Sequence, residues 1–62
     1  MITFGIDIGS ITAKGALLVD GKILGTHVVF TGYNSEKAGK TVFSELLNRC
    51  AIHEADVDRI VS

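Results

Sequence analysis

Asp20 and Gly21 stand between two apolar runs, Leu17-Leu18-Val19 and Ile23-Leu24, and this pair constrains the fold more than any other feature of the chain. A type I′ connection of two residues needs positive φ at both central positions. Asp-Gly adopts it at low cost, so the flanking runs are predicted to be antiparallel neighbours. The second strand is read from Ala13 to Val19 and the third from about Lys22 to Phe30, where Gly25 in the interior predicts a bulge or the close approach of another backbone. Upstream, Ile2, Phe4, Ile6 and Ile8 alternate with Thr3, Gly5 and Asp7. This period of two predicts a first strand with Asp7 near its end, on the face opposite the isoleucines.

After the third strand, Thr31-Gly32-Tyr33-Asn34 reads as a loop, and Ser35 is expected to cap a helix whose first turn carries Glu36 at the positive end of the dipole. Ala38, Val42, Leu46 and Cys50 recur every four residues with Phe43 and Leu47 beside them, which predicts one apolar stripe on a helix from about Ser35 to Ala51. Lys37, Lys40, Glu45, Asn48 and Arg49 form its solvated side. A polar connection, Ile52 to Asp56, leads into Val57-Asp58-Arg59-Ile60-Val61-Ser62, the expected start of a fourth strand. An apolar stripe of this kind needs a sheet to cover, so the fold class is α/β.

With 62 residues, such a unit buries only about 60% of the surface its unfolded chain exposes, and its stability is expected to be marginal. A single cysteine, Cys50, excludes an internal disulfide, and no Cys or His cluster has structural-zinc spacing. Apolar residues make up 47% and charged residues 21%, with no proline, a composition that argues against disorder. The net charge of -1 gives no footprint for nucleic acid or an anionic membrane. No apolar run is long enough to span a bilayer, and the start lacks the flank and cleavage site of a secretory signal, so a cytoplasmic location is expected.

The stretch Gly5-Ile6-Asp7-Ile8-Gly9-Ser10-Ile11-Thr12-Ala13-Lys14 places a carboxylate, a glycine turn, two hydroxyls and an amine within ten residues. Gly9 allows a sharp turn and close approach of an anion, while the amides of Ser10, Ile11 and Thr12 can converge on phosphate oxygens. Asp7 is suited to orienting the hydration shell of Mg²⁺ or an attacking water, and Lys14 to offsetting phosphate charge. An aspartate flanked by isoleucines on an inner strand costs stability unless something pairs with it. The stretch is therefore expected to be half of a nucleotide phosphate site.

This order of apolar strand, Asp, apolar, Gly, Ser, then Thr and Lys, followed by a hairpin and a helix, resembles the first phosphate motif of the actin, sugar kinase and Hsp70 superfamily of ATPases. The resemblance covers essentially the whole chain. It implies a partial ribonuclease H-like fold of three antiparallel strands, a helix and a strand parallel to the first, with residues 1–62 forming the N-terminal part of a longer domain. Within the superfamily, Gly5 to Ser10 with Thr12 and Lys14, then Leu17-Leu18 and Asp20-Gly21-Lys22-Ile23-Leu24, is most similar to the activator ATPases of 2-hydroxyacyl-CoA dehydratases and benzoyl-CoA reductases. That likeness implies ATP and Mg²⁺, with Asp7 in the catalytic role and Gly9, Ser10, Ile11, Thr12 and Lys14 at the phosphates. It also implies a homodimer bridging a 4Fe-4S cluster, and a partner acyl-CoA dehydratase or reductase that receives a low-potential electron.

The family's cluster cysteines would fall beyond this chain, and its second phosphate and adenosine motifs are absent. Any ATP site here is thus incomplete, and the chain alone is expected to bind nucleotide weakly and not to turn over. Sugar, acetate and pantothenate kinases share a similar opening, and a non-catalytic module that pairs through an exposed helix stripe and sheet edge is a third reading. Gly39-Lys40-Thr41 invites comparison with a P-loop, but that motif requires glycine at position 34, where Asn34 stands. Gly39 is instead expected inside the helix, allowing close packing on the sheet. Cys50 is expected to be a small hydrophobe, and His27 and His53 surface or strand residues. Tyr33 is a lone loop aromatic.

Overall fold

The computed structural model describes residues 1–62. Strand β1 spans Ile2–Ile8, β2 Thr12–Val19 and β3 Lys22–Phe30; helix α1 spans Ser35–Cys50, a 3₁₀ turn Glu54–Asp56, and β4 Arg59–Val61. The fold is α/β: one mixed sheet in the order β3-β2-β1-β4, with β1, β2 and β3 antiparallel in sequence and β4 parallel to β1. No helix is long and apolar enough to cross a membrane.

Asp20 and Gly21 have φ of 52° and 83°, so the hairpin forms as the pair dictates. In β3, Leu17 pairs with Gly25 and Leu18 with Ile23, leaving Leu24 as the extra residue of a bulge. Gly25 also faces the helix closely: a β-carbon there would lie 3.0 Å from Cys50 Sγ and 3.3 Å from Leu46 Cδ1. The expected bulge is present, one residue before the glycine, but no other backbone approaches Gly25: its close neighbours are side chains of the helix.

The helix begins one residue earlier in its cap than the sequence suggests. Asn34, extended at φ -133° and ψ 95°, accepts from the Lys37 amide through its side chain, and Ser35 is already helical. Asn34 wins because its Oδ1 reaches that amide at 3.0 Å while its own carbonyl receives the Ala38 amide, the bonding of an N-cap. At the other end Ala51 turns left-handed, at φ 57°, and sends its amide back to Asn48. The helix therefore stops at Cys50.

The stripe Ala38, Val42, Leu46 and Leu47 is buried against Phe4, Ala13 and Leu17. Phe4 also meets Phe43 edge to face, with ring centres 4.7 Å apart. Because the helix stripe is covered by the chain's own sheet, it is not the exposed docking surface that the assembly-module reading supposed. Gly15 makes this packing possible. A β-carbon on it would sit 2.8 Å from the Phe4 ring and 3.4 Å from Val42.

Strand β4 is pinned at its entrance by Asp58, whose amide donates to the Ile2 carbonyl at 2.8 Å while its carboxylate accepts from the Ile2 amide at 2.7 Å. At the hairpin, the Met1 ammonium lies 2.6 Å from Asp20. The hydrogen bond and charge of each partner hold the amine above, and the carboxyl below, its ordinary value.

Candidate functional site

The connection between β1 and β2 consists of Gly9, Ser10 and Ile11, all exposed. Its shape is fixed from behind. The Gly9 amide donates to the Thr12 carbonyl at 2.8 Å, and Thr31 donates twice, from its amide to the Ile11 carbonyl at 2.8 Å and from Oγ1 to the Gly9 carbonyl at 3.0 Å. Thr31 is 8% exposed, so these bonds are shielded on the Thr31 side and hold the bend against the end of β3. With the carbonyls of the bend turned inward, the amides of Ser10 and Ile11 have no partner within the chain. Two unpaired amides at an exposed bend beside a lysine can receive an anion.

Asp7 and Lys14 are directly opposed across the β1–β2 ladder. Both are exposed, yet they form none of the ion pairs of the chain. The strand period places them on the face of the sheet away from the helix, together with Gly5, Ala16, Thr26 and Val28. The Thr12 hydroxyl is on this face too, in a half-buried position. The structure thus brings Asp7, Thr12 and Lys14 to one end of an open sheet face, next to the bend that carries Gly9, Ser10 and Ile11.

Two expectations change. Asp7 is solvated and not buried on an inner strand, so it needs no partner for stability, and its desolvation cannot be a reason to assign it a role. Gly9 does not have positive φ, and a β-carbon on it would meet only the Thr12 carbonyl at 3.5 Å. The turn would therefore accept another residue, and glycine matters here only for how closely something can approach from outside.

Sequence reasoning missed Thr31, which it treated as one more loop residue. The signal was a threonine directly after a strand end, but the Gly9 carbonyl it holds is 22 residues earlier in the chain, and only the hairpin folds one onto the other.

No group of three or more His, Cys, Asp or Glu side chains could hold a metal. A single carboxylate such as Asp7 fits a Mg²⁺ ion only if the ion arrives with phosphates and water, which is how this ion is usually held. Cys50 is half-buried beside Gly25 on the far side of the sheet and is the only thiol, so this chain does not fit an iron-sulfur cluster. Gly39 lies within α1, buried against Ile6 and Ile8, and takes no part in a phosphate loop. Compared with family models, curated proteins and solved structures, the chain gives no match in any of the three.

Proposed function

We propose that this chain is the first phosphate-gripping segment of an actin-like, ribonuclease H-like ATPase domain, of the kind found in activators of 2-hydroxyacyl-CoA dehydratases and benzoyl-CoA reductases. The observation that carries the reading is the exposed bend whose Ser10 and Ile11 amides are unpaired while Thr31 ties its carbonyls inward. In this reading the two amides and the hydroxyls of Ser10 and Thr12 hold terminal phosphate oxygens. Lys14 offsets their charge, and Asp7 orients the water shell of the accompanying Mg²⁺. The element order of hairpin, helix and parallel fourth strand supports the same assignment, together with the likeness of Gly5 to Lys14.

The remaining part of such a site, including the base pocket and any cluster ligands, would come from other segments, so the chain binds and does not turn over. Heating the chain with increasing Mg-ATP tests the reading. Tm rises with ligand concentration according to mass action, the rise disappears in Asp7→Ala and Lys14→Ala, and Mg²⁺ with adenosine gives none. An unchanged Tm at saturating Mg-ATP, or a rise that both variants keep, contradicts it.

A further inference from the structure

We infer that β3 is the contact through which two copies of this chain associate, independently of the nucleotide reading. The two edges of the sheet are unlike. β4 has three residues, with Arg59 inside it and Asp58 before it. β3 has nine residues, and after Lys22 has no Asp, Glu, Lys or Arg from Ile23 to Phe30, while its one histidine, His27, is turned to the helix. Proteins blunt a free edge with charge, proline or a bulge. Here the bulge at Leu24 disturbs only the first part of the strand and the Arg49 guanidinium covers the Thr26 carbonyl, which leaves Val28 to Phe30 as the free part of the edge, with Val28 and Phe30 53% and 82% exposed.

A free strand edge is self-complementary when a second copy runs antiparallel to it about a two-fold axis. With the axis at Val29, Val28 of one copy stands across from Phe30 of the other, twice, a β-branched and aromatic cross-strand pair. The shoulder of α1 above this edge follows the same symmetry. Lys37, Thr41, Glu45 and Arg49 recur at four-residue spacing along it. Lys37 and Thr41 line a groove with Val29 and Phe30, and Glu45 sits over His27, 2.7 Å from its Nε2. Thr41, one helical turn before Glu45, lines that groove with Val29, two strand residues after His27, so the same axis places Lys37 of each copy against Glu45 of the other. Glu45 uses one oxygen for His27, and the second is available. The opposite charges match only in the antiparallel arrangement that the strand edge itself requires.

Sedimentation and hydrogen exchange of the full chain over a concentration series test this. The expected result is a monomer–dimer equilibrium in which the amides of Val28 and Phe30, which the axis at Val29 sets across from each other, gain protection as concentration rises while those of β4 do not. Lys37→Glu, which suits the first turn of a helix, should weaken association by roughly fivefold or more, since two symmetric attractions become repulsions. Lys37→Glu combined with Glu45→Lys should restore it. A monomer up to millimolar concentration overturns the inference, as does a dimer protected elsewhere or one that Lys37→Glu leaves unchanged. The exchange pattern of the unaltered chain decides the matter even if a variant folds poorly.

Discussion

The two faces of the sheet follow different rules. On the covered face, Phe4, Ala13, Leu17 and the helix residues Val42 and Leu46 are all buried, every side chain is fixed by its neighbours, and even an added methyl at Gly15 has no room. On the open face, Asp7 and Lys14 face each other without pairing, and Val28, Phe30 and Val61 are exposed. One face holds the fold together, and the other leaves groups free for something outside the chain. Residues that look alike in sequence therefore have opposite meanings according to the parity of their position in a strand.

The contrast breaks most visibly with a truncation on each face. Phe4→Ala should cost about 3–5 kcal/mol, enough in a unit this small to abolish a cooperative melting transition, whereas Val61→Ala should cost less than about 1 kcal/mol. Denaturant unfolding of both measures the difference. Glycine gives the next sharpest comparison. Gly15→Ala should destabilise by about 1–3 kcal/mol through overpacking against Phe4, while Gly5→Ala, whose β-carbon would find nothing nearer than the Ala16 carbonyl at 4.0 Å, should be neutral or slightly stabilising.

A third comparison separates the capping residue from its neighbour. Asn34→Ala should lower stability by about 1 kcal/mol, and Ser35→Ala by much less, since the Asn34 side chain makes the bond to the Lys37 amide. The smallest effect concerns the Met1–Asp20 pair. Asp20→Asn keeps a turn-forming Asn-Gly but removes the ion pair, so Tm should fall slightly near pH 6. The amine is raised by Asp20, so its share of stability is present below its ordinary value, about 8, and is lost as pH rises through the raised value. The carboxyl is lowered, so its share is present above the ordinary carboxylate range and is lost as pH falls through the lowered value. The two proteins should therefore converge in Tm at both extremes, and a difference that persists at pH 10 would show that the pair is not its cause.

The covered face was legible because burial leaves a period. Alternation from Ile2 to Ile8 and the four-residue stripe from Ala38 to Cys50 locate β1 and α1 to within a residue, and Asp20-Gly21 locates the hairpin. Local rivals blurred the helix start, where Asn34 and Ser35 are both capping residues and only backbone geometry chooses between them. Gly15 was illegible because a strand glycine becomes necessary only once Phe4 lies over it from the neighbouring strand. The bend at Gly9 to Ile11 could be read as chemistry from its residue types, but not as geometry: its shape depends on Thr31, a contact that exists only after β3 has folded back.

The most direct test of the phosphate assignment is a titration of the ¹⁵N-labelled chain with Mg-ATP, following each backbone amide. The account predicts saturable shifts centred on Ser10, Ile11 and Thr12 that require Mg²⁺ and are weakened in Thr31→Val, which lacks the hydroxyl that holds the Gly9 carbonyl. Resonances in that bend that stay fixed at millimolar Mg-ATP, or that move no more than those of β4, would contradict it.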